Sequence, residues 1–239
     1  NKELLPSFPL NCKFTNNNYK LNLYDIIKPK HFKKKEFKNK FYINDRKHKK
    51  QYPKTIDIDY DLGYIVGLYL AEGSKTHLAT TYSFNYKTEL ELWPKKIIEI
   101  IKNKFNIEYF KIRNQKNSGQ LQINSEVFSS FIDYFIDGNK CYNKKLSKNS
   151  YNTNIDYLKG VLDGIFDGDG CKTGSANIGI NITSLDLQYD IKYILNILGI
   201  NKNSLKYGKF SGISEMFNRV TNIKQQYSLN ILQTKYIKN

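Results

Sequence analysis

A chain of 239 residues, 40% hydrophobic and 14% aromatic, is long enough for one large domain or two small ones with a real core, which excludes a disordered polypeptide. Its 38 Lys and Arg against 22 Asp and Glu leave a formal net charge of +16. That balance points to a polyanion, nucleic acid first and an acidic membrane surface second.

No run of about 18 apolar residues is present to span a membrane. The opening NKELLPSFPLNCKF lacks the apolar core of a signal peptide. Cys12, Cys141 and Cys171 are far apart, with no CxxC pair, and read as reduced thiols; His31, His48 and His77 are equally scattered. Neither set suggests a disulfide framework or a zinc site. With Asn at position 1 and a sole methionine at Met216, the chain reads as part of something longer.

Residues 1–55 form the least regular stretch. Between Lys28 and Lys54, twelve Lys and Arg face only Glu36 and Asp45, a local net of +10, with Phe32, Phe37, Phe41, Tyr42 and Tyr52 interleaved. Such a run is either a solvated loop or an arm laid along phosphates, where each neutralised phosphate releases counterions. In a chain this basic the arm is the reading preferred.

From Ile56 onward the sequence repeats itself. DLGYIVGLYLAEGSK and YLKGVLDGIFDGDGCK are both helix-like, and aligning Glu72 with Asp169, 97 residues apart, superposes Gly63, Gly67 and Ala71 on Gly160, Gly164 and Gly168. Gly73 and Gly170 stand where C-terminal caps belong. Period-two strands follow: Tyr82, Phe84 and Tyr86 alternate with Thr81, Ser83, Asn85 and Lys87, and Ile178, Ile180 and Ile182 with Asn177, Asn181 and Thr183.

Amphipathic helices come next, over about 88–105 and 184–198, the second ending at Gly199. YFKIRN and QLQIN then flank a turn at Ser118-Gly119, and a helix over about 125–136 closes the first unit. SLKYGKF, MFNRVTN and YSLNIL do similar duty in the second, which shows no clear closing helix. The expected fold is α+β: two pseudo-symmetric αββαββ(α) units with saddle-shaped antiparallel sheets, over residues 56–151 and 152–239, preceded by a basic extension over 1–55.

Small residues four apart share one helix face, so two such faces bring their backbones unusually close. The seam Gly63/Gly67/Ala71 against Gly160/Gly164/Gly168 would set both helix ends side by side, with Glu72 and Asp169 emerging together. An acid at the negative end of a helix dipole is misplaced by about 0.3–1 kcal/mol. A cation removes that penalty. Two carboxylates with carbonyls of the helix ends, at Ala71 and Gly168, suit a hard divalent ion such as Mg²⁺, with Mn²⁺ or Ca²⁺ as substitutes for binding.

At these residues the sequence resembles the LAGLIDADG homing endonucleases in their monomeric, two-motif form. IVGLYLAEG (65–73) and LDGIFDGDG (162–170) are similar to the two family motifs, and the likeness covers about 56–235. It implies two units packed through their LAGLIDADG helices, double-stranded DNA as partner, and Mg²⁺-dependent cutting of both strands at a long, rare site, leaving short 3′ overhangs. It implies no membrane. Glu72 and Asp169 match the family's metal-binding acids. A family lysine upstream of the second motif maps onto Lys144, with Lys145 the alternative because Ser147 stands in the place of the family's proline. Lys75 and Lys172, three residues after each acid, match a lysine of some relatives that polarises the scissile phosphate or positions water.

Base reading then falls to polar strand residues: Thr81, Ser83, Asn85, Lys87, Lys111, Arg113, Gln120, Gln122 and Asn124 in the first unit, and Asn177, Asn181, Thr183, Lys206, Lys209, Arg219 and Asn222 in the second. Asp190-Ile191-Lys192 and Glu36-Phe37-Lys38 fit a D/E-x-K nuclease pattern, which a lysine-rich chain supplies by chance. The serious rival is a non-cutting relative, an intron RNA maturase or a DNA-binding regulator; the presence of both motif acids favours the enzyme.

Overall fold

The computed structural model describes residues 19–27, 33–44, 49–76, 79–173, 177–200, 203–207, 212–216, 219–223 and 227–231. Strand β1 (Tyr19–Asn22) leads into one helical turn, α1 (Leu23–Ile26). The strands β2 (Lys33–Phe37), β3 (Lys40–Asn44) and β4 (Lys49–Pro53) form an antiparallel sheet, and β5 (Thr55–Ile58) returns to pair with β1. Leu21, Leu23, Ile27, Phe41, Ile43, Tyr52, Ile56 and Ile58 are buried and join the main core.

This corrects the expectation of an irregular arm: the described part of the extension is folded, and β5 runs across the boundary expected at 55/56. The cause is an apolar alternation hidden among lysines. Phe41 and Ile43 point inward, and Phe41 stacks on Tyr52, its cross-strand partner, with ring centres 5.5 Å apart.

The first repeat unit then follows: α2 (Tyr60–Glu72), β6 (Gly73–Lys75), β7 (Thr80–Asn85), α3 (Trp93–Phe105), β8 (Phe110–Gln115), β9 (Ser118–Ile123) and α4 (Glu126–Phe135). Its antiparallel sheet has the order β6-β7-β9-β8. A connection containing β10 (Ile136–Asp137), β11 (Lys145–Leu146) and a short 3-10 turn (Lys148–Asn152) leads to the second unit. That unit comprises α5 (Ile155–Asp169), β12 (Gly170–Thr173), β13 (Asn177–Ile182), α6 (Leu185–Ile197), β14 (Asn203–Tyr207), β15 (Gly212–Met216), β16 (Arg219–Ile223) and β17 (Tyr227–Ile231). Its sheet, β12-β13-β17-β14, repeats the strand order of the first. The architecture is therefore α+β with antiparallel sheets. Among the described residues no helix is long and apolar enough to cross a membrane.

Three local expectations shift. Helix α3 starts at Trp93 and not near Thr88: Pro94 sits in its first turn, and the chain before it forms turns. The β8–β9 loop is Lys116-Asn117, with Lys116 at φ 61, while Gly119 lies inside β9 because the Phe84 ring fills the space a Cβ would need. MFNRVTN does not extend the second sheet; most of it belongs to the separate hairpin β15–β16, inserted between β14 and β17.

The seam between α2 and α5 is as close as the glycine pattern demands. A Cβ on Gly63 or Gly67 would overlap the carbonyl oxygen of Tyr157 or Val161, and one on Gly160 or Gly164 that of Tyr60 or Tyr64. Helix α2 is buried without interruption from Leu62 to Leu70, since it has α5 on one side and the first unit's sheet and helices on the others. Gly73 and Gly170 do cap the two helices, donating to Tyr69 O and Phe166 O. Their backbones are extended (φ −80° and −76°), so the reason for glycine is space beside those carbonyls and not a left-handed turn.

One side of the seam is polar. Tyr60 donates to Asp163 and Tyr64 to Asp167, both at 2.6 Å, and the Lys96 ammonium stands 3.8 Å from the centre of the Tyr64 ring. By the same 97-residue offset, Asp163 and Asp167 correspond to Val66 and Leu70. Tyr60 and Tyr64 correspond to Tyr157 and Val161, so two copies of the first unit would leave both tyrosines, and two copies of the second would leave Asp167, without these partners.

Gly67→Ala should cost about 3 kcal/mol of stability, because the helices must separate. Gly199→Ala, at φ +76 with nothing within 4 Å, should cost only about 1–2 kcal/mol. Urea denaturation compares the two directly; equal losses would contradict the close seam.

Candidate functional site

The seam delivers Glu72 and Asp169 to one place. A Cβ on Gly168 would stand 2.5 Å from Ala71 Cβ and 3.3 Å from Glu72 Cγ, so the Glu72 side chain passes over the residue that precedes Asp169. Burial, and then the Asp169 charge, pushes the Glu72 carboxyl up to about 7; burial raises Asp169 as well, against the pull of Lys144. Both acids resist ionisation because they are partly removed from water, and Glu72 does so further because Asp169 is near.

Lys144 answers part of that charge. It is 3% exposed, and its ammonium donates to Tyr69 O at 2.9 Å, Leu70 O at 3.2 Å and Gly73 O at 2.6 Å, closing the C-terminal end of α2. A cation at that end of a helix is where the dipole favours it. Desolvation lowers its pKa to about 8, opposed by Asp169, Cys141 and Glu72. Of the two lysines, Lys144 is the one placed beside the acids, whereas Lys145 is paired with Asp186 at 3.2 Å. All three donors of the Lys144 ammonium are committed to carbonyls. In this arrangement it acts as a fixed charge and not as a hydrogen-bond donor to phosphate, and three carbonyls at the α2 end are occupied by it.

Lys75 is not brought to the site. It lies on the helix side of β6 and pairs with Asp133 of α4. Lys172 lies on β12 opposite Ile178. Among the described residues no group of three or more His, Cys, Asp or Glu could hold a metal. Two carboxylates nonetheless fit a hard divalent cation that keeps several waters and takes substrate phosphate oxygens as further ligands. Their raised proton affinity comes first from burial, and Lys144 works against it in both.

Away from the acids, the outer face of the first sheet is polar in ordered rows. Arg113, Gln120 and Ser83 stand side by side across β8, β9 and β7, and Lys111, Gln122, Thr81 and Ser74 form the next row. Tyr82 and Phe84 alternate inward, as the period required. Asn85 and Asn124 are exposed, the latter accepting from Gln122 at 2.7 Å, whereas Lys87 lies in the turn after β7. Ser74 was missed because β6 is too short to show alternation.

In the second unit Asn181 and Lys206 flank Ser228 in register, and Asn177 opens β13. Thr183 has a different role, donating to Cys141 O at 2.9 Å. Arg219 and Asn222 lie on β16, in the separate hairpin. Lys209 lies outside the described residues.

Residues 156–238 match the LAGLIDADG-like domain family. The match lies in the second half of the chain. Its fold is similar to that of I-DmoI in complex with DNA and Ca, with a TM-score of 0.51 at 13% identity over 73% of this chain and 83% of that one. A variant of I-DmoI in complex with its target DNA in the presence of Mg gives the same score and identity, covering 89% of that chain. At this identity the likeness shows the LAGLIDADG fold. The DNA-directed RNA polymerase subunit Rpo1C of Methanocaldococcus jannaschii is 31% identical over 138 residues, which are 56% of this chain. The chain spans only 15% of the length of that curated relative.

The raised Glu72 value has a stability consequence with a definite sign. The folded chain holds this proton more tightly than the unfolded chain, so the contribution is fully present below about pH 4.5 and is lost as pH rises to about 7. In EDTA at pH 8, Glu72→Gln should therefore be more stable than the parent by roughly 1–2 kcal/mol, a figure discounted for solvent screening of a half-buried group. At pH 4 the two should match. Denaturation at both pH values checks this, and a less stable Gln variant at pH 8 would contradict it.

Proposed function

We propose that this chain is a site-specific double-stranded DNA endonuclease of the homing type, hydrolysing phosphodiesters with a divalent metal at a long, rare site and leaving short 3′ overhangs. The observation that carries the reading is the convergence of Glu72 and Asp169 at the ends of two abutting helices, with Lys144 fixed behind them. I-DmoI, which shares the fold, is found in complex with DNA and Ca or Mn.

Glu72 and Asp169 would hold the cation, with Ala71 and Gly168 supplying backbone oxygens. When bound, such an ion supplies positive charge for a leaving oxygen and acidifies a ligated water. The chain's own part is to hold both acids beside Lys144, whose charge works against the rise that burial gives their pKa values and would face the negative charge that develops during hydrolysis. The rows from Lys111 to Ser74 and from Arg113 to Ser83 would present donors and acceptors to base edges. The sheet β2–β3–β4 exposes Lys35, Lys38, Lys40 and Lys50 and would add phosphate contacts beyond those of the two saddle sheets.

Mg²⁺-dependent cutting of a large, diverse duplex pool, with sequencing of the new ends, tests the reading. Asp169→Asn and Glu72→Gln should abolish cutting while DNA binding in Ca²⁺ persists. Cutting at full rate by Asp169→Asn would sink the assignment. Tight binding to RNA or DNA without any cutting would favour the maturase or regulator.

Removing residues 1–50 would open the core around Leu21, Leu23, Phe41 and Ile43, so the basic sheet is better tested by charge substitution. Lys35→Gln with Lys40→Gln should lower the slope of log affinity against log salt by about 2, given about 0.9 per lost phosphate contact. An unchanged slope would leave these lysines as solvated surface.

A further inference from the structure

Lys144 reaches the end of α2 from the connection between the units, and the backbone that carries it is held from the other side. Ser184, the N-cap of α6, is 0% exposed and donates its hydroxyl to Lys144 O at 2.7 Å. One residue earlier, Thr183 donates to Cys141 O at 2.9 Å. Two turns into α6, Asp190 accepts from the Leu146 N–H at 2.7 Å and from the Tyr151 hydroxyl at 2.5 Å. Asp186 of the same helix pairs with Lys145. One helix of the second unit therefore grips the segment before, at and after Lys144.

The composition of that grip is unusual for packing alone. Asp190 is 5% exposed and lies on the buried stripe of α6 with Leu187, Ile191 and Ile194. An ionised carboxylate there carries a desolvation penalty of several kcal/mol, which a leucine would avoid. What the acid provides, and leucine cannot, is an acceptor for two donors of the connecting segment. Within the segment itself Asn143 Oδ1 accepts from Lys140 N at 2.8 Å, and Gly138, at φ +80, packs directly against the Asn143 carbonyl, so the loop is a single defined shape.

We propose that Thr183, Ser184 and Asp190 are positioning residues for Lys144: the second unit holds its backbone while the first unit's α2 carbonyls hold its ammonium. The charge behind Glu72 and Asp169 is then in place only when the two units are docked. This rests on the functional reading above for what Lys144 serves, but not for where it is held.

The test uses the full chain and has two arms. In the first, amines are acetylated and mapped by mass spectrometry, with exposed Lys145 as internal reference. Lys144 should react at least roughly tenfold more slowly than Lys145 in the parent, and lose that protection in Ser184→Ala, Asp190→Leu with helix content unchanged. Asp190→Asn, which keeps an acceptor for Leu146 N–H, should restore most of it and serves as the milder variant if the double change fails to fold. Protection that survives in both variants overturns the proposal, whether or not the protein cuts DNA.

In the second arm, single-turnover cutting should fall about tenfold to a hundredfold in Ser184→Ala, Asp190→Leu with DNA affinity in Ca²⁺ unchanged. Adding Lys144→Met should cost nothing further. A fully additive loss would show that these residues do not act through Lys144 and would overturn the proposal. Lost protection together with normal cutting by Lys144→Met would uphold the cradle and remove the lysine from the functional reading instead.

Discussion

Backbone contact between α2 and α5 sets the distances on which everything else in the molecule depends. Four glycines stand where a single added carbon would overlap a carbonyl oxygen of the facing helix, so the two axes cannot separate without losing the fit and cannot approach further. That fixed spacing puts Gly168 against Ala71 and Glu72, and so decides that the acids ending the two helices share one environment. The same seam is directional on its polar side, where Tyr60 and Tyr64 meet Asp163 and Asp167, because the acids correspond by the repeat offset to Val66 and Leu70.

The convergence creates an electrostatic debt that the protein only partly settles. Two acids at the negative ends of two helices, half removed from water, hold their protons more tightly than exposed acids do. Lys144 offsets some of this from a buried position, at the cost of its own desolvation. Stability is thus given up locally for a site whose charge is arranged in advance, as expected where binding or chemistry is the purpose. The lysine belongs to neither unit alone: α2 receives its ammonium, and the N-cap of α6 holds the connecting segment that carries it.

Much of this was legible in the sequence, and the parts that were not share a cause. The seam glycines, both acids, the inward Tyr82 and Phe84, and the helix α6 from about residue 184 followed from short-range periods repeated at one offset. The small sheet β2–β3–β4 did not, because lysines at both faces masked the alternation of Phe41 and Ile43. Asp190 carried a signal that went unused: an acid on the apolar stripe formed by Leu187, Ile191 and Ile194. Lys75 and Thr183 looked like site and base-reading residues by position alone, and Asp133 and the Cys141 carbonyl claimed them.

The sequence by itself determined the repeat, the helix and strand faces, the pair of acids and the basic character of the surface. These depend on periods of 3.6 and 2 residues and on composition, which are local properties of the chain. Tertiary structure alone decided which lysine lies beside the acids, which polar side chains are consumed by internal hydrogen bonds, and that the described part of the basic extension folds into the core. Each of those outcomes depends on a partner distant in sequence, 75 residues away for Lys144 and Tyr69 and 115 for Tyr19 and Tyr134. A buried polar group takes whichever partner the fold brings within reach, because leaving it unpaired costs about 1–3 kcal/mol, and no local pattern encodes that choice.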